Sequence, residues 1–401
     1  MSVELSDIEA AAALLADVVR RTPVEPSRSL GRKVGGDVWL KCENLQRTGS
    51  FKIRGAYTRI ARLTDAERRT GVVAASAGNH AQGVALAAGL LGTPAVVFMP
   101  EGAPIPKVQA TRDYGAEVRF AGSSVDEALQ AATSYADETG SVLIHPFDHP
   151  DVIAGQGTVG LELVEQIPDV RTIVVSAGGG GLVSGIAVAA KALRPQVRVI
   201  AVQAEGAASL PASLRAGRPV ALASMATMAD GIAVGCPGSL PLELIRQHVD
   251  EVRTVSEDAL ARALLLCLER AKLVVEPAGG AGVACVMDQA EGLEPPVGVV
   301  LSGGNIDPLL MMRVLRHGMT AAGRYLSFHV RVPDRPGELA RLLGELAATG
   351  ANVLDVEHSR TGRALHLGEV EVHLVLEMRG GAHRDEVLDR LRGAGYPLSV
   401  D

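Results

Sequence analysis

The chain has 401 residues, enough for two or three domains around a large buried core. With 39 basic against 46 acidic residues and no basic run interleaved with aromatics, nucleic acid is not an expected partner, and no uncharged apolar run reaches the roughly eighteen residues of a membrane helix. The four cysteines, Cys42, Cys236, Cys267 and Cys285, have no paired spacing, so neither a zinc site nor a disulfide framework is expected.

The opening run Met-Ser-Val-Glu-Leu-Ser-Asp places no basic region ahead of an apolar core, which argues against a signal peptide and for the cytoplasm. From Asp7 to Arg21 the apolar positions keep a helical period, with Ser6 and Glu9 as a capping box and a stop before Pro23. Val38, Leu40 and Cys42 then alternate with Trp39, Lys41 and Glu43 as in a strand, Gly49-Ser50 breaks the pattern, and a helical run follows. Lys52 therefore falls in the first turn of a helix just past a strand end. Ligands of open α/β sheets collect there, and a lysine amine is a nucleophile when its surroundings favour the neutral form. The competing reading is a solvated lysine at a helix start.

Strand, loop and helix repeat through Gly71–Leu91, through Ala95–Met99 with a helix near Lys107–Tyr114, and through Glu117–Phe120 with a helix from Asp126 capped by Ser124 and Glu127. Continuous apolar strands alternating with helices mean a parallel sheet covered on both faces. A second series holds strands at Thr172–Ser176, Val197–Ala204 and Val297–Leu301, and helices reaching Leu193 and spanning Asp258–Arg270. Two α/β lobes with a cleft between them are expected. Composition shifts at about Gly318–Arg324; beyond it, Leu326–Val332, Asn352–Ser359 and Leu367–Glu377 read as strands, Gly337–Thr349 and Arg384–Ala394 as helices, and Leu398–Val400 as a final strand.

Four glycines, Gly178, Gly179, Gly180 and Gly181, lie between a strand and a helix, where backbone amides converge with no side chain in the way. That is an anion site suited to a phosphate. A dinucleotide fold competes, because Glu205 closes the next strand, but Gly179-x-Gly181-x-x-Ser184 lacks the third glycine; a plain tight turn is the other alternative. Ser76-Ala-Gly-Asn-His80 occupies another strand-to-helix turn, whose free amides can hold a carboxylate, although Asn79 also suits an N-cap and His80 a surface position. Ser302 ends a buried strand and either faces the cleft or caps a helix, and Glu276 before Pro277 either lines the pocket or caps.

The run Lys-Cys-Glu-Asn-Leu-Gln-Arg-Thr-Gly-Ser-Phe-Lys-Ile-Arg-Gly-Ala from Lys41 to Ala56 resembles, over about sixteen residues, the cofactor-lysine signature of the fold-type II pyridoxal-phosphate enzymes, in particular the serine/threonine dehydratase branch. There a Ser-Phe-Lys-x-Arg-Gly-Ala core carries the Schiff-base lysine. The resemblance implies a two-lobed, tryptophan synthase β-like α/β fold with parallel sheets over 1–320, the smaller lobe at about 41–150 inserted in the larger. It implies pyridoxal 5′-phosphate as cofactor, with Lys52 as the catalytic residue. Phe51, Lys52, Asn79, Ser302 and the loop Gly178, Gly179, Gly180, Gly181, Leu182 would hold the cofactor, and Ser76, Ala77, Gly78, Asn79 and His80 the substrate carboxylate.

In similar enzymes the serine of Ser-Gly-Gly-Asn meets the ring nitrogen and the asparagine meets the 3′-oxygen. A neutral hydroxyl at that nitrogen moderates the electron sink, which suits β-elimination. Serine racemases carry a serine where Ala77 stands, so racemisation is disfavoured. Metal-binding relatives place an aspartate six residues beyond the acid after the strand, but that count from Glu205 reaches Pro211; no metal is expected, and Glu205 and Asp230 are read as structural.

The βαββα order of the tail and the run Pro333-Asp-Arg-Pro-Gly-Glu-Leu339 resemble the ACT domain, a small ferredoxin-like α+β regulatory module, here over 325–401. Asp334, Arg335, Gly337 and Leu339 would then serve an amino-acid effector such as isoleucine or valine; subunit contact alone is the blander role. The implied activity is β-elimination of L-threonine to 2-oxobutanoate and ammonia, with L-serine giving pyruvate, in a homo-oligomeric dimer or tetramer. A serine-preferring dehydratase and a serine racemase are alternatives of the same class, and a catalytically silent amino-acid sensor is one of another class.

Overall fold

Val72–Ala75, Ala95–Met99 and Thr172–Ser176 are apolar runs buried at every position, so both faces of their sheets need cover. The computed structural model, which describes residues 2–360 and 365–400, supplies it with helices on each side. Met1 and Asp401, the outer ends of the two expected domains, lie outside the described residues.

In chain order the strands are β1 (Val24–Pro26), β2 (Val38–Lys41), β3 (Val72–Ala75), β4 (Ala95–Met99), β5 (Glu117–Phe120), β6 (Val142–Leu143), β7 (Thr172–Ser176), β8 (Arg198–Ala204), β9 (Glu251–Val255) and β10 (Val297–Val300). The tail adds β11 (Tyr325–Pro333), β12 (Asn352–Ser359), β13 (Glu369–Glu377) and β14 (Leu398–Val400). One sheet runs β1-β2-β10-β7-β8-β9, parallel except at β1; a second runs β5-β4-β3-β6, all parallel. Alternate residues of the larger sheet feed two cores. Val174, Ile200 and Val299 pack with the helices Glu257–Leu266 and Pro277–Asp288, while Ile173, Val175 and Val199 pack with Pro150–Gln166 and Gly181–Leu193.

The helix Pro150–Gln166 carries close backbone contacts that explain its small residues. A Cβ on Gly155 would lie 2.6 Å from the Arg54 carbonyl oxygen, and one on Gly185, in the facing helix, 2.4 Å from that of Ile153. Helix Pro150–Gln166 meets Lys52–Ala61 at the first point and Gly181–Leu193 at the second, and closes on both only without side chains there.

Three expectations need correction. The first helix spans Leu5–Leu15, not Asp7–Arg21; its capping box is Glu4 with Asp7, and the Arg20 main chain is held instead by the Gln46 side chain, with bonds of 2.9 and 2.7 Å. Lys41, the expected start of the smaller lobe, belongs to the six-stranded sheet. The chain divides into compact units Met1–Met311 and Met312–Asp401, and the expected break at 318–324 is largely helical, because Pro308–Ala321 is one helix.

The second unit is an antiparallel sheet, β12-β13-β11-β14, with helices Glu338–Thr349 and Gly381–Gly393. Leu326, Phe328, Val330, Leu374 and Leu376 face a core shared with Leu342, Leu346 and Leu391. Alternating burial along β11 and β13 gives one covered sheet face.

Candidate active site

Lys52 opens the helix Lys52–Ala61, and the chain before it is stitched to the exit of β10. Ser50 forms a β-bridge with Gly303, the Phe51 N–H donates to the Ser302 carbonyl at 3.2 Å, and the Gly304 N–H donates to that of Gly49 at 2.9 Å. Gly49 (φ +68°) and Thr48 (φ +62°) are both left-handed, a conformation that costs a threonine energy and is held here by the Asn305 amide on the Thr48 carbonyl at 2.6 Å.

The charged residues around Lys52 in sequence are not in the cleft. The Arg54 guanidinium, with no exposed surface, pairs with the buried Glu43 carboxylate at 2.8 Å and with Glu162 at 2.7 Å; Lys41 pairs with Glu162 as well. Two cations and two carboxylates thus tie β2 and the Lys52 helix to Pro150–Gln166. Burial alone would raise the Glu43 pKa, but the Arg54 charge and hydrogen bonds outweigh it and hold the carboxyl below the usual range.

The Lys52 Nζ donates to the Pro146 carbonyl at 3.0 Å and lies 5.1 Å from the centre of the Phe51 ring. Burial lowers its pKa to about 8, against the pull of Glu276. Helix Asn79–Leu90 approaches this turn through Gly83, where a Cβ would sit 3.0 Å from the Lys52 carbonyl carbon. The carboxamide of Asn79 donates from Nδ2 to Glu276 Oε1 at 2.5 Å and accepts at Oδ1 from Asn305 Nδ2 at 2.8 Å.

The glycine loop leaves β7 and enters helix Gly181–Leu193, with Gly180 at φ +98°. A Cβ on Gly179 would fall 2.4 Å from the Phe147 ring, so the loop is closed to side chains. Among the described residues, the Gly178, Gly179 and Gly180 amides are paired with no protein acceptor, and the first-turn amides of a helix have none within it. The Leu182 side chain is buried in the core, leaving its backbone amide to the loop. Ser302, 4% exposed, receives a hydrogen bond from Ser176 Oγ at 3.1 Å where β10 and β7 end side by side. No helix begins at Ser302, the next starting at Pro308, so it is not a cap.

His80 is the exception among the expected site side chains. Its ring is buried and Nε2 meets the Ile144 carbonyl at 2.8 Å; a carbonyl only accepts, so Nε2 carries the proton. Burial, with the Lys52 charge, lowers its pKa to about 3, so the ring is neutral and committed. Its main chain stays in the turn with Ser76, Ala77 and Gly78, where Ser76 Oγ accepts the Gly78 N–H at 3.1 Å.

Two contributors lack any motif of their own: Pro146, through its main-chain carbonyl, and Phe147, through the ring packed on Gly179. Glu276, expected either to line the pocket or to cap, meets Asn79, and Asn305, the last residue of the Ser-Gly-Gly-Asn run, meets the other end of the same carboxamide. The donor set suits pyridoxal phosphate. A side-chain-free amide loop fits its phosphate, a partly neutral lysine its aldehyde, and a buried hydroxyl its ring nitrogen, while Ser50 Oγ and Glu276 Oε2 are buried polar atoms without a protein partner among the described residues.

In the second unit, part of the expected effector loop is already committed. The Asp334 N–H donates to the Gly368 carbonyl at 2.8 Å, that of Arg335 to Pro333 at 2.8 Å, and the Asp334 carboxylate pairs with Arg360 at 3.1 Å. Gly337, Leu339 and His358 line a cavity of about 270 Å³ beside it.

Fold and site define a two-lobed α/β protein with a buried lysine and a side-chain-free amide loop suited to pyridoxal phosphate, followed by a small α+β module. The chain belongs to the pyridoxal-phosphate dependent enzyme family, whose model matches residues 15–303, and carries an ACT domain over 326–395. It is 48% identical over 398 residues to the L-threonine ammonia-lyase of Thermotoga maritima, covering 99% of both chains. Among solved structures, a threonine deaminase from T.th. matches with a TM-score of 0.72 and 43% identity over 76% of this chain and 99% of that one. Maize serine racemase matches with a TM-score of 0.75 and 39% identity over 78% and 97%.

Proposed function

We propose that the chain is an L-threonine ammonia-lyase that converts L-threonine to 2-oxobutanoate and ammonia and, more slowly, L-serine to pyruvate. The observation that carries this is the convergence of Lys52, Asn79, the glycine loop and Ser302 on one cleft, in a chain similar from end to end to an L-threonine ammonia-lyase. When bound, pyridoxal phosphate supplies an electron sink that stabilises negative charge at the substrate α-carbon.

The amides of Gly178–Gly181 would hold the phosphate, the Ser302 hydroxyl would serve the ring nitrogen, and the Asn79 Nδ2–H would serve the ring oxygen. The turn amides from Ser76 to His80 hold the substrate carboxylate at a helix N-terminus. Lys52 Nζ takes the α-proton; with a pKa near 8 it is a far better base at neutral pH than an exposed lysine. Ala77 has no exchangeable proton to return to the opposite face, which favours elimination over racemisation despite the likeness to serine racemase.

The tail supports regulation by an amino acid at the Gly337–Leu339 cavity and pairing with a second copy. Its edge strand β12 leaves Leu354 and Val356 exposed, as an edge awaiting a partner does. A homo-oligomer and a cytoplasmic setting complete the reading.

The test is the initial rate of 2-oxo acid formation from L-threonine and L-serine, each with and without isoleucine. Threonine preference with inhibition by isoleucine supports both units of the reading. Threonine turnover untouched by isoleucine removes that effector, and no 2-oxo acid from either substrate overturns the activity. A visible absorption band that vanishes on borohydride reduction separates an enzyme from a silent sensor.

A further inference from the structure

Glu276 holds a carboxyl group in a place that helix capping does not explain. It stands at the N-cap of helix Pro277–Asp288, yet its side chain makes no cap hydrogen bond. It turns instead into the cleft, 2% exposed, where Oε1 accepts the Asn79 Nδ2–H at 2.5 Å and Oε2 has no protein partner among the described residues. The far end of the Asn79 carboxamide accepts from Asn305 at 2.8 Å. An amide whose oxygen is bound on one side and one of whose N–H groups is bound on the other cannot flip, and only its second N–H is left to present to a ligand.

The fold also reserves the space. A Cβ on Gly303 would lie 2.3 Å from Glu276 Oε1 and 3.0 Å from Asn79 Nδ2, so the exit of β10 carries glycine where these two side chains meet. The Glu276 N–H donates to the Gly303 carbonyl at 3.1 Å and locks the carboxyl-bearing turn to the same point.

We propose that Glu276 is a positioning residue for the reaction, its buried carboxyl fixing through Asn79 the hydrogen-bond donor offered to the ring oxygen of the cofactor. The inference rests on the reading of Lys52 and Asn79 as cofactor contacts. Because Oε1 is bound to an N–H, a proton taken up by Glu276 resides on Oε2, and gaining or losing it changes the charge beside Asn79 by one unit. The titratable groups facing it are Asp230, Lys107 and Lys52. Lys107 is itself paired with Asp230 at 2.6 Å, so neither imposes its full charge. Burial raises the Glu276 pKa to about 7, with Asp230 adding to the rise and Lys107, the Asn79 bond and Lys52 opposing it. Around neutral pH, then, the donor at Asn79 works against either an anion or a neutral acid.

The experiment uses the holoenzyme reconstituted with pyridoxal phosphate, and records its visible absorption from pH 5.5 to 8.5 for wild type, Glu276→Gln and Glu276→Asp. Gln keeps the acceptor for Asn79 but cannot ionise. The wild-type band should change position or intensity in a single step near pH 7, and Glu276→Gln should keep the band and lose the step. Its kcat should fall about tenfold with KM within about twofold, as for a group that acts on the bound state. Glu276→Asp should restore a step, displaced in pH, and stands in should the glutamine variant fail to fold. An unchanged step in Glu276→Gln, or a wild-type band flat across the range, overturns the proposal. A wild type with no band at all overturns the cofactor reading beneath it.

Discussion

Desolvation governs Lys52 more than any neighbouring charge does. Its amine titrates near 8 instead of near 10.5, so between these values the folded apo-protein binds fewer protons than the unfolded chain, and stability rises with pH. Below pH 8 the full penalty is present. The apo form of Lys52→Met should therefore resist urea better than wild-type apo-protein at pH 7, the advantage shrinking above pH 8 and vanishing near 10.5. An advantage constant across that range would place the lysine in solvent. His80 shows the opposite outcome of the same burial: a ring driven to about 3 does not titrate near neutrality, and serves by holding the Ile144 carbonyl.

Between elements, the charge network of Lys41, Glu43, Arg54 and Glu162 sets where the Lys52 helix sits. Removing one partner leaves the others desolvated and unpaired, so Arg54→Met should cost about 3–5 kcal/mol in urea unfolding at pH 7. Turnover per folded molecule should fall as well, because Lys52 lies half a turn from the lost anchor. A loss under about 1 kcal/mol would show that water reaches the pair, as at exposed ion pairs. The glycine loop and Gly155, Gly157 and Gly185 illustrate two uses of one residue. Gly180 needs φ +98°, while Gly185 needs only the absence of a Cβ beside the Ile153 carbonyl.

Over the whole molecule, the division at Met311 and Met312 separates a unit with the lysine site from one with the βαββα sheet. Deleting residues 324–401 should keep threonine turnover within about threefold and abolish any response to isoleucine, since the expected effector cavity lies wholly in the deleted part. A truncated protein still inhibited by isoleucine would move the effector site to the catalytic unit. Loss of turnover with retained folding would show that the tail supports the active state.

Local signals were legible in the residues themselves. Most strands of both lobes, though not β1, β6 or β9, the Ser124–Glu127 capping box, the final β-strand and the lysine at a helix start rest on periodicity or turn chemistry within a few positions, which short-range sterics enforce. The family likeness rested on one contiguous run around Lys52, and the comparisons bear it out. Only the tertiary structure decided that Arg54 and Glu43 in that run are buried supports and that His80 turns to a carbonyl. It alone brought Pro146 to Lys52 and set Glu276 and Asn305 on the two ends of the Asn79 carboxamide, each far from its partner in sequence. The reason is physical. A side chain's spacing is written in the chain, but its burial and partner depend on which distant backbone it meets.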